Sequence, residues 1–302
     1  MKPHNPALAF GIAALAVATF AVMDALMKEL ALALGAYNAL LWRTMAGAAM
    51  AGALFFATRS GGPSRSAWRF HLRRGVVGVP TAFFFFWGLA RVPLAQAIAL
   101  AFVAPLIALY LASVVLDEKI ERKAILASLL GFAGVLVIMS GQAQAELGRE
   151  AFLGSLAILA SAALYAYNII LMRQQAQVAG PVEVAFFTSG IMAVGFILAA
   201  PLLGKVPPAG IVPEILAAAA LGFVSLMLFS WAYARAEAQQ LAPVEYSSFI
   251  WASLLGWIFF SERVQPLTLV GAAMIVAACL LAAPRGTPPA PKTEPGIPGG
   301  AA

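Results

Sequence analysis

Charge is scarce in this chain: only 11% of its 302 residues are Asp, Glu, Lys or Arg, against roughly 25% in a soluble domain. Water is therefore not the main solvent around its surface. A single cysteine, Cys279, excludes an intrachain disulfide and a cysteine-rich zinc cluster. The two histidines, His4 and His71, flank apolar runs and read as solvated residues rather than metal ligands. No predicted span holds a histidine, and the acids are scattered. The chain thus lacks the clustered nucleophile, base or metal set of an intramembrane enzyme and is read as no enzyme, with no metal and no cofactor. A Gly-x-x-x-x-Gly-Lys-Ser/Thr phosphate loop is also missing, which argues against ATP as fuel. Alternation of period two is missing as well, which excludes a β-barrel.

What the chain has in abundance is apolar residues, 62% of the total. The runs 92–116 and 151–172 carry no charge. About 20 such residues cross a hydrocarbon core about 30 Å thick. The pattern predicts an all-α integral membrane protein with ten transmembrane helices over 7–27, 38–57, 75–90, 94–116, 124–141, 151–172, 184–204, 215–234, 244–260 and 267–283. The first run follows only Lys2 and is longer than a usual leader, so it reads as a retained span. The tail 284–302, rich in Pro, Gly and Ala, is expected to be disordered.

The sequence pI near 9.7 does not point to nucleic acid, because the positive charge sits in short loops. It reports topology instead. With the N-terminus inside, thirteen Lys and Arg fall on the cytoplasmic side and five outside, with Arg43 within the second span. Both termini are expected in the cytoplasm and the protein in a bacterial-type inner membrane, with the lipid bilayer as its surroundings.

The sequence also repeats itself. A shift of 144 residues lays 90–120 on 234–264 without gaps, with Ala90/Ala234, Arg91/Arg235, Gln96/Gln240, Ala108/Ala252, Leu111/Leu255 and Glu118/Glu262 identical and Phe102 facing Tyr246. A shift of 145 brings Phe20 onto Tyr165 and Lys28 onto Arg173 in the first spans of each half. The expected units are 1–141 and 142–283. Five spans per unit is an odd number, so the second copy is inverted. Two inverted five-helix repeats are the architecture of alternating-access carriers, with the site near the midplane between repeats. Two repeats can enclose a complete path, so a monomer can suffice.

The stretch 90–120, with Arg91, Pro93, Pro105, Asp117, Glu118 and Lys119, and its echo 260–271, with Ser261, Glu262, Arg263 and Gly271, resemble the EamA domain of the drug/metabolite transporter superfamily. Glu118 and Glu262 sit at the family glutamate. Asp117 and Ser261 stand where the family has a glycine before it, and Ala127 stands where Gly271 does in the other half. Within the superfamily the chain is most similar to aromatic and broad-range amino-acid exporters. The resemblance implies export of amino acids or similar small metabolites. Cationic drugs are the alternative cargo; a channel, a non-transporting receptor and an intramembrane enzyme are the alternative classes.

Polar groups at membrane depth mark candidate positions. Asp24 reads either as a structural partner of Lys28 or Arg43, or as a coupling or gating acid. Arg43 either pairs with Asp24 or receives a substrate carboxylate. Glu245 opens the ninth span after Pro243, at the inner mouth. Glu118 and Glu262 read as span-end anchors beside a base. Phe83 and Trp87 share a helical face, as do Tyr165 and Asn168, and Ser247 and Trp251; with Tyr246 they form the candidate substrate path. Each is equally readable as packing. Tyr37 and Trp42 read as interface-belt aromatics.

Overall fold

The computed structural model describes residues 6–58, 62–115, 122–144, 148–175, 177–233 and 244–282. Its helices are α1 (Pro6–Leu34), α2 (Ala36–Ala57), α3 (Arg65–Leu89), α4 (Leu94–Ala101), α5 (Ala104–Val115), α6 (Arg122–Gln144), α7 (Gly148–Gln175), α8 (Pro181–Leu203), α9 (Val212–Tyr233), α10 (Ser248–Phe260) and α11 (Pro266–Ala282). With α4 and α5 counted as one broken span, the chain crosses ten times. Five helices have the length and hydropathy of full spans by themselves: Leu8–Leu34, Ala36–Ala57, Gly148–Met172, Pro181–Leu203 and Ala209–Ala232. Large apolar side chains face outward along the bundle, among them Leu198, Leu202, Trp257 and Phe259. In lipid that exposure carries no hydrophobic penalty.

Helix pairing shows the internal symmetry. The most extensive contacts are α6 with α11, α3 with α7, α1 with α9, and α2 with α8. Exchanging the two halves turns the α1–α9 pair into α7–α3, and maps α2–α8 and α6–α11 onto themselves. The side-chain bonds repeat it. Ser225 of α9 donates to the Ala16 carbonyl of α1 at 2.8 Å, and Ser161 of α7 donates to the Thr81 carbonyl of α3 at 2.7 Å. Shifts of 145 and 144 map position 16 onto 161 and position 81 onto 225. One pair of positions is bridged in both halves, with donor and acceptor exchanged.

Small residues set the crossings. A Cβ on Gly88 would lie 2.5 Å from the Gly154 carbonyl, and one on Gly271 would lie 2.6 Å from the Gly134 carbonyl. The backbones of α3 and α7, and of α6 and α11, therefore touch directly, which is how helices gain packing energy in lipid. The image positions Ala9, Ala232, Ala127 and Ala278 are alanines, all buried.

Three expected boundaries move. The third span begins ten residues before the predicted 75, because Ser64 caps α3 by accepting from the Ala67 amide at 3.1 Å. The first helix continues past Met27 to Leu34, so Lys28 lies within it and is buried, not in an outer loop. It ends at Gly35, whose φ of 77° lets α2 begin one residue later. The fourth span is not continuous but breaks at Phe102–Val103, because Pro105 has no N–H to bond the Ala101 carbonyl. The tail 284–302 lies outside the described residues.

Candidate functional site

The break in the fourth span has a partner. In the ninth span Tyr246 and Ser247 form a turn just before α10, and shifting Phe102 and Val103 by 144 lands on them. The two breaks are made by different chemistry. Pro105 interrupts the first. At the second, Ser247 donates to the Val244 carbonyl and Ser248 to the Glu245 carbonyl, both at 2.6 Å. Both turns carry i to i+3 bonds, from Val103 N to Leu100 O and from Ser247 N to Val244 O. The rings of Phe102 and Tyr246 meet edge-on at 5.3 Å. A residue that touches its own repeat image lies on the axis relating the halves. Two broken helices thus meet at that axis, and the Phe102 carbonyl accepts from the Cys279 thiol at 3.4 Å.

On the α1 side, the partner of Lys28 is not Asp24. Lys28 forms an ion pair with Glu262 and donates to the Val92 carbonyl at 2.6 Å. The second Glu262 oxygen accepts from the Leu94 amide at 2.7 Å. Glu262 therefore caps α4, whose own N-cap residue is Pro93 and offers no side-chain acceptor. Gly256 leaves room for it, since a Cβ there would sit 2.7 Å from that carboxylate. One acid of the second half thus ties together α1, the α3–α4 turn and the end of α10; Arg263, its expected companion, is not the base it meets. Ser261 just before it has φ 54°, a left-handed backbone that explains why glycine is the family's choice there. Glu118 lies outside the described residues.

One turn inward, Asp24 is 3% exposed, and its Oδ1 has no hydrogen-bond partner. Arg43 lies within electrostatic reach of it, yet the two do not form an ion pair among the described residues. The guanidinium carbon is 5.9 Å from the centre of the Phe86 ring, and a Cβ on Gly222 of α9 would lie 3.1 Å from its Nη2.

A polar chain crosses the opposite end of the bundle. Arg74 donates to Asn168 Oδ1 at 3.1 Å and to Gln175 Oε1 at 2.6 Å. Gln175 Nε2 donates to His71 Nδ1 at 2.7 Å, which leaves His71 Nε2 to donate to Glu183 Oε1 at 2.9 Å. His71 is fully buried in α3, stacked on Phe187 at 5.1 Å, so the expectation of a solvated histidine outside the spans is overturned. The early start of α3 is the reason. Two signals pointed here: His71 and Arg74 share a face at i and i+3, and Asn168 and Gln175 share one at i and i+7. Tyr165, 45% exposed, stands three residues before Asn168 on α7.

The other aromatics are dispersed. Trp87 lies 3.5 Å below the Arg91 guanidinium, and Arg91 also bonds Glu150 at 2.9 Å. Phe83 meets Phe84 edge-on at 5.9 Å, and Trp251 is 37% exposed on α10. Tyr37 and Trp42 donate to the Phe196 and Lys205 carbonyls, which binds α2 to α8 and its exit. A groove of about 390 Å³ between α1 and α9, lined by Ile12, Phe223 and Trp231 among others, contains none of the charged candidates.

Ten spans in two inverted halves, broken helices at the axis and isolated charges at depth define a multi-pass membrane transporter. The family model described as the EamA-like transporter family matches residues 8–140 and again 152–283, and the chain belongs to that family. It is 29% identical over 276 residues to the pseudopaline exporter CntI of Pseudomonas aeruginosa, covering 89% of this chain and 93% of that protein. It is 28% identical to a riboflavin transporter of Rhizobium johnstonii, over 70% of this chain and 69% of that one. A crystal structure shares the fold, with a TM-score of 0.61 and 23% identity over 92% of this chain and 98% of the other.

Proposed function

We propose that the protein exports amino acids, aromatic ones included, or closely related small metabolites across a bacterial inner membrane by alternating access, with both termini inside. The units 1–141 and 142–283 rock against each other, and a monomer suffices. The observation that carries this reading is the meeting of two broken helices at repeat-equivalent positions, Phe102–Val103 and Tyr246–Ser247. Interrupted spans free backbone groups at mid-depth, where transporters place their substrates. Tyr165, Asn168, Tyr246, Ser247 and Trp251 furnish aromatic faces with a few polar groups, which suits an amphipathic cargo. Phe83 and Trp87 flank this path, Asp24, Arg43 and Glu245 gate or couple it, and Glu118 and Glu262 anchor span ends. The relatives named as exporter and transporter support a metabolite cargo of a different kind as the second reading.

The test is reconstitution in liposomes loaded with labelled phenylalanine, with threonine and a polyamine as comparators. Saturable, protein-dependent amino-acid efflux is expected. Flux of the polyamine alone would replace the amino-acid cargo with a cationic one, and flux of none of the three would move the search to other metabolites.

A further inference from the structure

A buried acid, Asp24, and a half-buried base, Arg43, lie at the junction of α1, α2, α3 and α9 without forming an ion pair among the described residues. Asp24 is 3% exposed and its Oδ1 is orphaned. Arg43 donates no hydrogen bond to any described residue; its visible company is the Phe86 face and the backbone of α9 at Gly222. Buried charges are tolerated when paired and hydrogen-bonded. A pair held within electrostatic reach but short of contact leaves a gap between an acceptor and a planar fork of donors. We propose that this gap is the head-group site of the carrier: Asp24 receives an ammonium and Arg43 a carboxylate of the same small zwitterion, with Phe86 against its carbon skeleton.

Charge selects the ligand class. The pair is neutral as a whole. A simple cation meets Arg43, and a simple anion meets Asp24, so either is opposed by one member. Only a molecule carrying both charges satisfies both groups. Gly222 positions the fork, because any side chain there would enter the space of Nη2. That atom is the free end of a flexible side chain, so Gly222→Ala displaces the guanidinium rather than the helix.

The inference rests on the amino-acid reading above, and one set of vesicles separates their failures. Uptake of labelled phenylalanine is measured in competition with 3-phenylpropanoate, which lacks the amine, and phenethylamine, which lacks the carboxylate. The wild-type protein is expected to reject both competitors. Asp24→Asn should raise the half-saturating phenylalanine concentration about tenfold to a hundredfold, the value of one hydrogen bond to a charge, and should lose its discrimination against 3-phenylpropanoate. Arg43→Gln should do the same for phenethylamine, and Gly222→Ala should weaken carboxylate recognition while melting like wild type. Phenylalanine uptake with unchanged discrimination in all three variants overturns the head-group site and leaves the amino-acid reading standing. Absence of phenylalanine and threonine uptake by the wild type overturns both. A variant that fails to fold is replaced by Arg43→Lys, which keeps the charge without the fork and must still show weakened discrimination.

Discussion

Removing one member of the Lys28–Glu262 pair should destabilise the transporter far more than removing both. Lys28 is 4% exposed and Glu262 retains 17% of its side-chain surface, so the pair is mostly desolvated. Lys28→Met leaves the partly buried Glu262 on the α4 amide of Leu94 with no counter-charge. Glu262→Gln leaves the ammonium with the Val92 carbonyl and the Phe260 ring but no counter-charge. Breaking a buried pair from one side costs about 3–5 kcal/mol, and the partial exposure of Glu262 places this case near the lower end. The α4 cap adds about 1 kcal/mol where it is lost, but Gln keeps an acceptor for Leu94, so that loss is partial. The double variant Lys28→Met/Glu262→Gln removes both charges and should recover most of the single-variant loss. Thermal melting of purified protein in one detergent, followed by tryptophan emission, gives the four corners of the cycle. Strictly additive shifts, or single variants that melt with wild type, would show that the pair holds nothing together and would refute the reasoning.

Three further outcomes follow from the packing. Gly88→Ala and Gly271→Ala should each cost about 1–3 kcal/mol by overpacking, because their new methyls would meet backbone carbonyls at 2.5 and 2.6 Å, whereas Gly47→Ala, with nothing within 4 Å, should melt like wild type. Gln175→Leu interrupts the chain from Arg74 to Glu183 at its middle and should cost about 1–3 kcal/mol by stranding buried donors and acceptors; a stable Gln175→Leu protein would remove that chain from the list of structural ties. Ser261→Gly should raise the melting temperature, by roughly 1–2 kcal/mol of relieved left-handed strain, and a lowered one would show that the serine side chain matters more than the backbone.

Apolar run length fixed the number of crossings, since a bilayer demands about 20 apolar residues per span whatever the packing. The repeat was legible too, because Phe102/Tyr246 and Glu118/Glu262 keep their register at one constant shift. Span ends were less so. His71 and Arg74 lie in a stretch with four arginines between 65 and 74, and no hydropathy window separates a charged helical turn from a loop there. Contact partners were not legible at all. A helix whose faces are all apolar carries no period to say which side meets which neighbour, so the local guess for Lys28 was Asp24, four residues away. Its actual partner stands 234 positions along the chain. Likewise the fourth span reads as one continuous run and breaks because Pro105 has no N–H for the Ala101 carbonyl, while the matching break at Tyr246–Ser247 rests on hydroxyls bonding carbonyls, a choice that sequence leaves open. Composition and repetition determined what kind of molecule this is; only the tertiary structure, by bringing inverted copies face to face, decided which charges pair, which stay unpaired, and where two interrupted helices meet.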